Sequence, residues 1–153
     1  MKFREEIIID APSDKVWEYV GSLDCWSLFH SKVGECRQVS SQDDGVGAVY
    51  EMEFRLGSKP NPTRCEIEEY RIGTLISVRS EMIDMDEREK PMHTAVMTFA
   101  LEDRGMQTKV TETLDADFRA VPFWLKPLIW LITRLGKPVG ETTLMKLKRV
   151  VEA

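Results

Sequence analysis

Between Val33 and Phe118 apolar and polar residues alternate with a period of two, the spacing that sends successive side chains to opposite faces of a strand. In one such segment Tyr50, Met52, Phe54 and Leu56 share a face, and Glu51, Glu53 and Arg55 share the other. In another, Val110, Leu114, Ala116 and Phe118 oppose Lys109, Thr111, Thr113, Asp115 and Asp117, and Glu112 alone breaks the alternation. Turn signals at Asp43-Asp44-Gly45, at the Gly/Pro/Asn cluster of residues 57–62, at Gly73, from Glu87 to Pro91 and at Asp103-Arg104-Gly105 cut this region into six strands, expected to form an antiparallel meander.

The flanks carry a helical period. Phe3 to Ile9 is rich in β-formers and runs into Asp10-Ala11-Pro12-Ser13-Asp14, where a proline and two capping residues precede Val16, Trp17 and Val20. Asp24 is expected to cap a second short helix reaching Phe29, which Ser31-Lys32-Val33-Gly34 would end. After Phe118 the pattern predicts helix from about Pro122 to Leu135, a break at residues 136–140 with two glycines and a proline, and a last segment from Glu141 to Glu152 striped by Leu144, Leu147 and Val151.

Composition narrows the class. The chain has 153 residues, 42% of them hydrophobic and 31% charged, which suits one soluble domain with one core spanning residues 1–153. A net charge of -5 argues against a nucleic-acid partner, since such binding draws on Lys and Arg neutralising phosphates. Cys25, Cys36 and Cys65 are odd in number and lack close pairing, so reduced thiols and a cytoplasmic location are expected. Acidic residues at Glu5 and Glu6 do not suit a signal peptide. The apolar run from Phe123 to Leu135 is interrupted by Lys126, Pro127 and Arg134 and falls short of the ~20 residues that cross a bilayer.

Three motifs in order carry a family resemblance across nearly the whole chain. The opening Ile7-Ile8-Ile9-Asp10-Ala11-Pro12-Ser13-Asp14-Lys15-Val16-Trp17-Glu18, the glycine-marked hairpin Asp44-Gly45-Val46-Gly47 and the closing helix Leu144 to Glu152, with its L-x-x-L-K-x-x-x-E pattern, resemble the START-like, or SRPBCC, superfamily of polyketide cyclases, lipid-transfer domains and birch-pollen-allergen-like proteins. The resemblance implies an α+β helix-grip fold: a curved antiparallel sheet of about seven strands around a long C-terminal helix, with two short helices after the first strand. It also implies an apolar cavity between sheet and helix. Because that superfamily hosts carriers, cyclases, dehydratases and co-chaperone-like modules with different cavity residues, no catalytic set transfers.

The residues themselves offer candidates. Period-two alternation turns Glu112 toward the apolar side among Val110, Leu114 and Ala116, where a carboxylate is costly unless paired, hydrated or used. The competing expectation is a bulge that turns it outward, or an ion pair with a residue such as Arg79. Tyr50, Met52, Phe54, Val78, Met97 and Phe99, with Ile76, Met82 and Leu101, are expected either to line a ligand cavity or simply to pack the core. Ser80 and Cys65 offer a hydroxyl and a thiol on the same faces, and Leu114, Trp124 and Leu144 complete the expected ligand-binding set.

Neither Cys25, His30 and Cys36 nor the glycines of Gly45-Val46-Gly47 match a metal or dinucleotide pattern, so no metal and no cofactor are expected. The segment from Phe123 to Leu135 carries more apolar surface than one buried helix face needs, and is expected to serve as a lid or core segment, a homodimer contact or a transient membrane-surface contact. These features favour the binding of a small hydrophobic ligand over catalysis. The alternatives are a polyketide cyclase/aromatase-like enzyme with Glu112 as its acid, and a protein-interaction module.

Overall fold

In the computed structural model β1 (Lys2–Ile9) leads through α1 (Ser13–Val20) and a 3₁₀ helix (Leu23–Leu28) into six further strands: β2 (Val33–Gln38), β3 (Val49–Leu56), β4 (Lys59–Arg71), β5 (Leu75–Asp84), β6 (Lys90–Asp103) and β7 (Thr108–Asp117). The chain ends in helix α2 (Thr143–Glu152). The structure describes residues 2–30, 32–40, 45–56, 59–84, 90–117, 124, 127 and 141–153, with backbone alone at 56, 59–61, 82–84 and 90–93. The expected helix of residues 122–135, its break at 136–140 and the place of Phe118 therefore lie outside the described residues, apart from Trp124 and Pro127.

The seven strands form one antiparallel sheet in the order β1-β7-β6-β5-β4-β3-β2. β2 to β7 are the expected meander, and β1 returns to pair with the last strand. Register follows the hydrophobic period: Ile7 faces Val110, which faces Leu101, and Phe3 faces Leu114, which faces Met97, which faces Val78. A shift in β4 between Ile67 and Glu69 re-phases the strand, so that Ile67 and Tyr70 both join the core side. The hairpin before β3 uses Gly45 at φ 147 and Gly47 at φ 89, backbone positions that glycine reaches without steric penalty.

The helix caps differ from expectation in two places. α1 is capped at Pro12, extended at φ -66 and ψ 155, so Ser13 and Asp14 lie inside the helix and neither side chain caps it. The second segment is a 3₁₀ helix capped at Ser22, which places Asp24 in its first turn. In α2, Thr142 is the cap, its side-chain oxygen accepting the Met145 N–H at 3.2 Å.

α2 buries Leu144, Leu147 and Val151 completely. Its C-terminal end is tied to the exit of β1: Lys148 Nζ donates to the Ile8 carbonyl at 2.9 Å, and the Asp10 N–H donates to Glu152 Oε1 at 2.8 Å. The buried residues of sheet, α1, 3₁₀ helix and α2 form one continuous cluster that includes Ile9, Val16, Trp26, Tyr50, Phe99, Val110 and Leu147. No helix among the described residues is long and apolar enough to cross a membrane.

Candidate functional site

Cross-strand pairing fixes which residues share the inner face. Glu112 stands between Phe99 on β6 and Glu5 on β1, and the β6–β7 register runs without a shift from Thr94 opposite Asp117 to Asp103 opposite Thr108. No bulge turns Glu112 outward. Phe99 is fully buried, so Glu112 belongs to the face that carries the core. Arg79 is on the opposite face, with its Nε 2.6 Å from Glu68 Oε1, and the expected alternative of a Glu112–Arg79 pair is not what the structure has.

Glu112 is half-buried and has no hydrogen bond or ion pair among the described residues. Burial, and secondarily the neighbouring Glu5 carboxylate, push its pKa from 4.5 up to about 7. An acid poised there exchanges its proton under physiological conditions, which suits it to give or take one from a bound molecule or to accept a ligand's N–H or O–H.

Around it the inner face grades from sealed to accessible. Tyr50, Met52, Val78, Met97 and Phe99 are buried, whereas Phe3, Phe54, Ser80, Ala95 and Leu114 keep partial access. Ser80 Oγ and Cys65 Sγ, opposite each other on β5 and β4, are 3.4 Å apart. Burial raises the Cys65 thiol to about 11 and the Cys36 thiol to about 12, so neither is a nucleophile at neutral pH. Leu144 reaches the same core from α2.

The 3₁₀ helix closes one side of this face. Trp26 and Phe29 meet Phe99 edge-on, at ring-centroid distances of 5.3 Å and 6.0 Å, and Trp26 Nε1 donates to the Val20 carbonyl at 2.9 Å. The next residue, His30, has 4% exposure. Its ring tilts against Phe54 at 5.7 Å, and Nδ1 accepts the Lys32 N–H at 3.3 Å. Burial, with smaller contributions from the Lys32 and Lys146 charges, lowers its pKa to about 4, so the imidazole is neutral at physiological pH.

Sequence reasoning weighed His30 only as a metal ligand and missed this placement. The signal available was its position directly after Phe29 and one helical turn after Trp26, just past a short helix whose aromatic residues turn inward. Trp124, expected among the ligand-binding residues, stands 66% exposed, and Pro127 is exposed as well. The lid, homodimer, membrane-surface and interaction-module expectations all rest on the segment 123–135, which is otherwise outside the described residues. Among the described residues no cluster of three or more His, Cys, Asp or Glu could hold a metal ion. An open groove along the outer side of α2 is bordered by Glu141, Met145, Lys148, Arg149 and Glu152, and Glu112 is not among its lining residues; two of these, Arg149 and Glu141, form an ion pair at 2.8 Å.

Comparison with known proteins places this geometry. The sequence model of a family described as polyketide cyclase / dehydrase and lipid transport matches residues 1–152. No curated protein sequence matches the chain. Among solved structures, the Zhui aromatase/cyclase from Streptomyces sp. R1128 superposes with a TM-score of 0.68 at 13% identity, over 99% of this chain and 93% of that one. Protein CV1439 from Chromobacterium violaceum gives 0.66 at 18% identity, over 99% and 97% of the two chains. The protein Ara h 8.0201 gives 0.65 at 12% identity over the same shares. At these identities the likeness shows the helix-grip fold and nothing finer.

Proposed function

Because this chain belongs to the polyketide cyclase/dehydrase and lipid transport family, we propose that it binds a small hydrophobic molecule against the inner face of its sheet. The observation that carries this is the partial access kept by Phe3, Phe54, Ala95 and Leu114, on the face that also carries the buried Tyr50, Met52, Val78, Met97 and Phe99. α2 is tied to the exit of β1, which sets its C-terminal end at the Ile9 end of that face, and Phe3 and Leu114 pair at the opposite end of β1. Burying that apolar surface against a ligand supplies affinity at about 25 cal/mol per Å², and Glu112, Ser80 and His30 supply the polar contacts that orient it. The three thiols, none in a disulfide, fit a reducing compartment and hence a cytoplasmic, single-domain carrier.

The test is to fill the space. Leu114→Trp adds a bulky ring at a partly accessible position of that face. Native mass spectrometry of the wild type should show a co-purifying small molecule, and a fluorescent apolar probe should bind the wild type and lose at least tenfold in affinity to the variant. Equal probe affinity in two folded proteins would place the ligand elsewhere and end this reading.

Glu112 favours a second reading, an enzyme related in activity to aromatase/cyclases. A carboxyl that titrates near neutrality without a partner is what acid–base work on an enolisable ligand requires. Under that reading Glu112→Gln keeps ligand affinity and lowers turnover by roughly two to four orders of magnitude, whereas a carrier loses nothing but the charge.

A further inference from the structure

His30 is a buried polar group with one half of its hydrogen-bonding capacity unaccounted for. A neutral imidazole has one N–H and one bare nitrogen, and the partner of one nitrogen dictates the state of the other. Nδ1 accepts the Lys32 N–H, so it is bare and the proton resides on Nε2. No acceptor among the described residues takes that proton. A donor desolvated in this way is costly, and native proteins keep such groups where water or a ligand satisfies them.

Geometry says where the donor is directed. His30 follows the 3₁₀ helix and its cap residue Phe29, whose ring rests with that of Trp26 on Phe99; the His30 N–H donates to the Trp26 carbonyl at 2.7 Å and its side chain is buried. Its ring packs on Phe54, an inner-face residue of β3 with partial access. The Lys146 charge is felt at the ring, so the N-terminal half of α2 is nearby. Nδ1 is turned to the Lys32 backbone just before β2 and the ring is 4% exposed, which leaves Nε2 on the buried edge of the ring that points away from Lys32. Glu112 lies across the sheet on β7, so the two groups flank the inner face from opposite sides.

We infer that the Nε2–H of His30 donates a hydrogen bond to an oxygen of the bound molecule, and that the natural ligand is an apolar compound bearing a carbonyl or comparable acceptor oxygen. This rests on the proposed binding of an apolar ligand at the inner face, and it adds the chemical class. A pure hydrocarbon leaves the donor unsatisfied, whereas a ketone, quinone or ester carbonyl satisfies it. The preference between two ligands of equal shape is the net worth of one neutral hydrogen bond, roughly five- to tenfold in affinity.

The experiment compares acetylnaphthalene with isopropenylnaphthalene, which differ only in carrying C=O where the other carries C=CH₂, by calorimetry against the wild type and His30→Phe. The ketone should bind the wild type roughly five- to tenfold tighter than the alkene, and the preference should vanish in His30→Phe with alkene affinity kept. Should that variant not fold, the wild type alone decides: the chain has only two histidines, so the His30 ring nitrogens are assignable by NMR. The Nε2–H resonance should move downfield with the ketone and stay with the alkene. Both probes binding with no preference, or a preference that survives His30→Phe, overturns the role of His30 and leaves the apolar site standing. Neither probe binding overturns the site and the inference together.

Discussion

Glu112 and His30 carry opposite pH dependences, and Glu112→Gln separates them. Glu112 has a folded pKa of about 7 against 4.5, so the folded protein holds its proton more tightly than the unfolded chain. The stability this gives is complete below about pH 4.5 and lost as pH rises to about 7. At about 1.4 kcal/mol per pH unit the difference is roughly 3 kcal/mol. His30 has a folded pKa of about 4 against 6.5, so the folded protein resists its protonation. Its contribution is complete above about pH 6.5 and lost as pH falls to about 4, again by roughly 3 kcal/mol. Between about pH 4.5 and 6.5 the two slopes run in opposite directions and largely cancel, leaving the wild type nearly flat there. Gln keeps the shape of Glu and cannot ionise. The variant should therefore match the wild type near pH 4, gain steadily above it, and be more stable by about 3 kcal/mol at pH 8. Urea denaturation from pH 4 to pH 8 measures this, and the surface carboxylates Glu6, Glu141 and Glu152, held low by Arg4, Arg149 and Lys148, are common to both proteins and drop out of the difference. A stability difference constant across that range, or a Glu112 carboxyl ¹³C resonance titrating near 4.5, refutes the buried acid and with it the reading of the inner face as a place for proton exchange.

Two further outcomes follow from the packing. Leu147 is fully buried on α2, so Leu147→Asp should abolish cooperative thermal unfolding through several kcal/mol of uncompensated charge burial, whereas a melting temperature near that of the wild type would contradict the seating of α2. With Cys36 and Cys65 raised to about 12 and 11, iodoacetamide at neutral pH should modify Cys25 first and the buried Cys65 only on unfolding; equal labelling of all three in the folded protein would overturn the raised thiols.

The sequence by itself determined the strands, their inner faces and the closing helix. Alternation with a period of two placed Tyr50, Met52, Val110 and Leu114 inward before any pairing was known, because a one-residue slip would expose every one of them. It also singled out Glu112, since a carboxylate at an apolar parity position stands out against its neighbours. Helix starts were less legible: Pro12, Ser22 and Thr142 cap where nearby Asp and Ser residues had as strong a local claim, and the choice depends on how the chain leaves the preceding strand. Tertiary structure alone decided that Arg79 pairs with Glu68 across the outer face, that Glu5 stands beside Glu112, and that a histidine just past a six-residue 3₁₀ helix is buried against Phe54. Each joins residues far apart in the chain or on irregular backbone, where no period relates position to direction. The burial that shifts Glu112 up and His30 down is set by what packs over them, and strand periodicity fixes a side chain's face without fixing its cover.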